Sequence, residues 1–188
     1  MNWQATAPAL ALLALASCGA KGADEARSGN ASSTTPAATA RLQVSSDAFQ
    51  QGQAIPAQYS CDGANRSPAL HWSDPPAGTK SFALVIDDPD APGGTFRHWG
   101  VYDIPASARG IAAGQHLGSE VNNDGGKWGY TGPCPPKGNG VHHYHFKLFA
   151  LNVERLGLGG KSKVADVEEA SLAHATAQGE LIGTYERK

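Results

Sequence analysis

The sequence predicts a mainly β domain, an antiparallel sheet or sandwich with some helical decoration. Three observations carry that expectation. Glycine (23) and proline (12) together supply 35 of the 188 residues, a weight of turn formers that suits short strands joined by loops and disfavours a helix bundle. Apolar runs of strand length recur between turn residues. Only one stretch, late in the chain, carries a helical period.

Composition narrows the function classes. The chain holds 15 Lys+Arg against 17 Asp+Glu, a net charge of −2. A nucleic-acid footprint needs clustered cations, so no nucleic-acid partner is expected. With 17% charged and 40% hydrophobic residues, the chain as a whole is not disordered. Three Cys are too few for a disulfide scaffold and too far apart for a zinc finger.

The chain divides into three parts: 1–18, 19–40 and 41–188. Residues 7–16, A-P-A-L-A-L-L-A-L-A, have the length of a secretory h-region and are too short to span a bilayer. They run into Leu15-Ala16-Ser17-Cys18, which resembles the bacterial lipobox, whose Cys is lipidated and becomes the first residue of the mature protein. No Lys or Arg precedes the apolar run, and an ordinary cleaved signal peptide is the alternative. No later stretch approaches 18 apolar residues, so the membrane partner is expected through the Cys18 lipid only. Of the 22 residues in 19–40, seventeen are Ala, Gly, Ser, Thr or Pro. Such a segment cannot bury enough surface to offset chain entropy, and reads as a flexible linker reaching about 25 Å. By resemblance to Gram-negative lipoproteins, Gly19 in place of Asp after the Cys favours the outer membrane, periplasmic side.

From Arg41 the pattern changes. Leu42-Gln43-Val44 opens an extended segment. Residues 81–87, S-F-A-L-V-I-D, form an apolar strand with Phe82, Leu84 and Ile86 on one face and Ala83 and Val85 on the other. Residues 98–104 form a second strand, stopped by Pro105. Residues 141–151 form the longest strand. His142, Tyr144, Phe146 and Leu148 share one face, and apolar residues on both faces of its second half predict a central position. A helix is expected from Val164 to Gln178, with Val167, Ala170, Ser171 and His174 as its stripe, followed by a final strand at 181–185.

Three segments carry candidate chemistry. Asp87-Asp88-Pro89-Asp90-Ala91-Pro92 ends the first apolar strand. Its prolines stiffen the loop, and three carboxylates in four positions need at least one partner. An Asx-turn at a strand end is the alternative. Arg97-His98-Trp99 is brought back by a loop through Gly93 and Gly94, so an Asp88–His98 hydrogen bond is expected; a purely structural histidine is the alternative. Residues 132–144, G-P-C-P-P-K-G-N-G-V-H-H-Y, make a rigid Pro/Gly loop leading directly to His142 and Tyr144. The loop lacks a phosphate-cradling G-x-x-x-x-G-K-[ST] and precedes a strand.

These segments resemble the phosphatidylethanolamine-binding protein family, and its bacterial Raf-kinase-inhibitor-like branch in particular. The motifs are D-P-D-A-P at 88–92, H-W at 98–99 and the 132–144 loop. Flanking support comes from Y-S-C-D-G-A-N-R-S-P-A-L-H-W at 59–72, P-A-G-T-K-S-F-A-L at 76–84, F-K-L-F-A-L-N at 146–152 and L-I-G-T-Y at 181–185. The resemblance covers about 42–187. It implies a large antiparallel sheet packed on a smaller one with a few peripheral helices, and a small preformed anion pocket at the sheet edge. Matched by motif, the pocket takes Asp88, Asp90, His98, Cys134, Pro135, Pro136, His142 and Tyr144. The chain departs from the animal proteins at Cys134, where their loop has Gly, and in a much shorter insert between the first two segments.

The implied function is non-catalytic. It is a lipid-anchored envelope protein that binds a small anionic or phosphoryl ligand such as phosphoethanolamine, needs no cofactor, and acts on an envelope protein partner as a regulator or inhibitor of a kinase or protease. His98, His142 and Tyr144 are expected to donate to the ligand, and binding to tighten as pH falls from about 7.5 to 5.5. The alternatives are a metal-dependent hydrolase using Asp/His/His and a passive scaffold; no G-x-S-x-G elbow supports a serine hydrolase. If Cys18 is lipidated, Cys61 and Cys134 remain as an even pair in an oxidising compartment, either bridged or as two free buried thiols.

Overall fold

The computed structural model describes residues 40–73 and 75–188. Cys18, the leader and nearly all of the 19–40 linker lie outside them. In chain order the strands are β1 (Ala40–Arg41), β2 (Gln43–Ser45), β3 (Leu70–Ser73), β4 (Ser81–Asp88), β5 (Phe96–Pro105), β6 (Gly110–Ile111), β7 (Ser119–Glu120), β8 (His142–Leu151) and β9 (Ala175–Tyr185). Among the described residues one α-helix, α1 (Val164–His174), precedes β9, and a single 3-10 turn spans Ala57–Tyr59.

Two sheets form. The larger has the order β1-β9-β8-β4-β5-β7, the smaller β2-β3-β6. Every pairing is antiparallel except the two-residue β1, which joins β9 in parallel. β4 lies between β5 and β8 and is buried along its whole length, as a strand apolar on both faces requires. Phe82, Leu84 and Ile86 face the small sheet and cluster with its Leu70 and Trp72 and with Phe146 and Leu148 of β8. Ala83 and Val85 face the other way, with Phe149, Leu151, and Val164 and Val167 of α1. The expected large sheet on a smaller one is therefore observed.

The helix is shorter than its pattern suggested. It ends at His174, and Ala175–Gln178, expected to be helical, open β9. Ala and Gln favour helix locally, but β8 offers ten residues of edge, and β9 pairs with it from Leu151↔Ala175 to His142↔Tyr185. Satisfying that backbone edge outweighs a propensity of tenths of a kcal/mol per residue. Gly183 is needed on the inward face: a Cβ there would lie 2.6 Å from both Phe49 and Ile55. Within α1 the buried stripe is Val164, Val167 and Ser171, whereas His174 is exposed. The Asp166 carboxylate accepts from the Lys163 N–H at 2.8 Å, fixing the first turn.

Candidate functional site

β4, β5 and β8 bring the three segments to one end of the large sheet. A cavity of about 460 Å³ opens there. Asp88, His98 and His142 form its polar part, and Cys134, Pro135 and Pro136 one wall. The loop from Ala91 to Thr95 and the Phe96 ring form another. Asp124 and Thr131, from the segment after β7, complete it.

The carboxylate of Asp88, 3% exposed, is fully engaged. Oδ1 accepts from the Asp90 N–H at 2.9 Å, the Asx-turn of a strand end. Oδ2 accepts from His142 Nδ1–H at 2.8 Å. The expected Asp88–His98 hydrogen bond does not form. β4 and β5 pair Ile86 with Trp99 and Asp87 with Arg97, which leaves His98 as an extra residue in a β-bulge. Such a bulge re-aims its side chain. His98 Nδ1–H donates instead to the Thr131 carbonyl at 2.8 Å. On the other flank the register sets Asp87 opposite His145, so His142, on the inward face, falls within reach of Asp88.

Two other residues expected in the lining do not reach it. The Asp90 carboxylate accepts from the His143 backbone N–H at 2.9 Å and from its Nδ1–H at 2.7 Å on the exposed side. The adjacent His143 proton holds that carboxyl below its usual range. Tyr144 is fully buried and lies against the edge of the His98 ring, centroids 5.3 Å apart. Its hydroxyl has no hydrogen-bond partner among the described residues. Burial, and then the Asp88 charge, push that phenol far above its ordinary range, so it stays neutral.

In its neutral form neither imidazole donates to the cavity. Each spends its one N–H on a partner within the protein: Thr131 O for His98 and Asp88 Oδ2 for His142. Burial holds His98 below the usual imidazole range, against the opposing pull of the Thr131 carbonyl and Asp88.

The Pro-rich wall is pinned from several sides. Cys134 is bridged to Cys61, Cα to Cα 5.4 Å, so the pair is a disulfide and not two free thiols. The Cys61 N–H reaches the Pro133 carbonyl at 3.0 Å, and the Gly132 N–H reaches Asn65 Oδ1 at 2.8 Å. Gly132 packs so closely on the Tyr59 carbonyl that no Cβ would fit. The Arg187 carbonyl accepts from Gly138, and its guanidinium lies 2.9 Å from Asp62.

Sequence patterns overlooked one organiser. Asn123, 2% exposed, donates to Thr131 Oγ1 at 2.8 Å and to the carbonyls of Gly129 and His98 at 3.2 and 3.4 Å. Its Oδ1 accepts from Gly125 and Lys127. It thereby holds the carbonyl that orients His98. The turn signal Asn123-Asp124-Gly125-Gly126 was available to locate it. Among the described residues no group of three or more His, Cys, Asp or Glu side chains is placed to hold a metal ion, so the hydrolase alternative has no geometric support.

Comparison with known proteins supplies the remaining context. Residues 45–186 match the profile of the family described as phosphatidylethanolamine-binding protein. A UPF0098 protein of Aquifex aeolicus is 48% identical over 152 residues, 78% of this chain and 89% of its own. A Mycobacterium tuberculosis protein named "putative lipoprotein LppC" is 42% identical over 192 residues, 97% of this chain and 94% of its own. Among solved structures, E. coli YbcL, described as a new member of the mammalian PEBP family, superposes with a TM-score of 0.73 at 38% identity, covering 79% of this chain and all of YbcL.

Proposed function

This chain belongs to the phosphatidylethanolamine-binding protein family, and we propose that it is a lipid-anchored envelope protein whose cavity captures a small phosphoryl or related anionic group. The observation that carries this reading is the Asp88–His142 pair, 2.8 Å apart, set beside His98 in one cavity. Buried histidines next to a cavity can gain a proton and then donate from Nε2 to phosphoryl oxygens. The proline wall and the disulfide hold the site formed before a ligand arrives, which lowers the entropic cost of binding. Asp88 and Asp124 suit a ligand that also carries an ammonium, such as phosphoethanolamine. The lipobox at Cys18 supports the anchor, and so does the match of LppC, named a lipoprotein, over nearly the whole chain.

Thermal unfolding of the detergent-solubilised full chain tests the reading at pH 6. Phosphoethanolamine or inorganic phosphate at a hundredfold excess over Kd should stabilise it by about 2.7 kcal/mol. His142→Ala should reduce the affinity at least tenfold. No shift with either probe at millimolar concentration would overturn the proposal.

A further inference from the structure

With its imidazoles neutral the cavity presents the opposite of an anion trap. The Thr131 carbonyl and the Asp88 carboxylate can only accept, so both imidazoles carry their proton on Nδ1. Each ring, when neutral, therefore offers a lone pair on Nε2, and neither Nε2 has a partner among the described residues. Asp88 and Asp124 add carboxylates to the lining, and among the described residues no Lys or Arg lines it.

The surroundings of His98 add no compensating cation. From β4 come Asp88 and, on the far face, Asp87, whose charge is taken by Lys147 at 2.6 Å. The segment after β7 contributes Asp124 and Thr131, and β8 contributes His142 and Tyr144. On its own strand stand Phe96, 4.7 Å away between ring centroids, and Arg97. The Arg97 guanidinium is committed to Glu168 at 3.2 Å and lies 4.0 Å from Asp124. A phosphate dianion placed here would bring acceptors to acceptors and charge to like charge.

We propose that the cavity selects phosphate monoesters or inorganic phosphate over phosphate diesters, because the ligand must bind together with a proton shared between a phosphoryl oxygen and an imidazole Nε2. This rests on the phosphoryl-binding reading above. The second ionisation of a monoester lies near pH 6, so its monoanion still holds a P–O–H that can donate to Nε2. Above that pH the dianion binds by taking one proton from solvent. No bond to phosphorus forms or breaks. A diester has no P–O–H near neutrality and brings only acceptors. Its capture requires an imidazolium, which burial disfavours at His98. A lipid headgroup phosphodiester is thus the weaker ligand, and a free monoester with the same amine the stronger.

Titration calorimetry on the full chain in detergent tests this at pH 7.5 and 5.5, in two buffers of different ionisation enthalpy. The probes are inorganic phosphate, phosphoethanolamine and glycerophosphoethanolamine, the last carrying the lipid headgroup diester. At pH 7.5 phosphoethanolamine should bind at least tenfold more tightly than the diester. Its binding should take up close to one proton there and much less at pH 5.5. Equal or tighter binding of the diester would overturn the inference. So would monoester binding without proton uptake at pH 7.5, and both results would leave the phosphoryl-binding reading standing. Silence of all three probes at both pH values would overturn that reading and this inference together.

Discussion

Asp87 and Asp88 are neighbours on β4, equally buried, and face opposite layers of the molecule. Asp87 is neutralised by fixed charge. Lys147 Nζ lies 2.6 Å from it and 2.9 Å from Glu168, and Glu168 lies 3.2 Å from Arg97. Burial pushes the Asp87 carboxyl up while Lys147 pulls it down. Burial alone would lower Lys147, but Asp87 and Glu168 outweigh it and hold the ammonium protonated. Burial would likewise raise Glu168, and Lys147 and Arg97 bring it below its usual range. Asp88, by contrast, accepts from a backbone N–H and an imidazole. One face of the strand end pairs its carboxylate with an ammonium in a chain of fixed charges; the other pairs its carboxylate with an imidazole, charged only when protonated. The first arrangement fastens α1 to the sheet, and the second leaves a site able to respond to a ligand.

The largest expected effect comes from releasing the cavity side. Replacing Cys61 and Cys134 together with Ser frees a 73-residue separation, worth up to about 4 kcal/mol on the chain-entropy model. Urea unfolding should show a loss of that order, and phosphate affinity should fall as the Pro135-Pro136 wall loosens. Amide exchange in α1 below the global unfolding limit should be unchanged. Unaltered stability would mean that the other ties to this loop suffice to hold it.

A smaller effect is expected from the helix side. Lys147→Met leaves Asp87 buried without its cation. Breaking a fully buried pair costs about 3–5 kcal/mol, and the partial exposure of Lys147, 29% at the side chain, reduces this to about 2 kcal/mol. Phosphate affinity should stay within about twofold, since Lys147 does not line the cavity. Adding Asp87→Asn should restore part of the stability. A tenfold loss of phosphate affinity in Lys147→Met would show that the two faces are not independent.

The difference between the faces was only partly legible in the sequence. The period of two in 81–87 and 141–151 put Phe82, Leu84 and Ile86 on one face of the first strand and Tyr144 and Phe146 on one face of the second, because burial on a strand follows alternation. The resemblance of the motifs to the family implied that Asp88, His98, His142 and the 134–136 turn share one place, and all of them line the cavity. The pairing within that place was not legible. It depends on a single extra residue in β5, and a bulge leaves no signature in alternation when the strand around it is apolar on both faces. Asp90 and Tyr144 were expected in the lining by the resemblance, but Asp90 turns outward to His143 and Tyr144 is buried behind the His98 ring. The Lys147–Glu168–Arg97 chain joins β8, α1 and β5, elements whose contact follows from the fold and not from local pattern. Ala175–Gln178 misled because helix propensity is local, whereas the edge of β8 is a partner supplied from elsewhere in the chain.

The smallest effect bears most directly on titratable against fixed charge. Burial holds folded His98 below the unfolded value of about 6.5. As pH falls through 6.5 the unfolded chain therefore binds the proton first, and native stability declines until pH has passed below the folded value. The fixed pairs on the helix face should contribute no comparable slope in that window. His98→Asn keeps a donor for the Thr131 carbonyl but removes the titrating ring. The difference in urea stability between wild type and variant should therefore shift against wild type between pH 7 and 5. Saturating phosphate should flatten that shift, because a bound phosphoryl oxygen gives the protonated ring an acceptor in place of an empty, low-dielectric wall. A difference that stays constant with pH would place His98 among the fixed elements of the fold, and the contrast between the two faces of β4 would then rest on His142 alone.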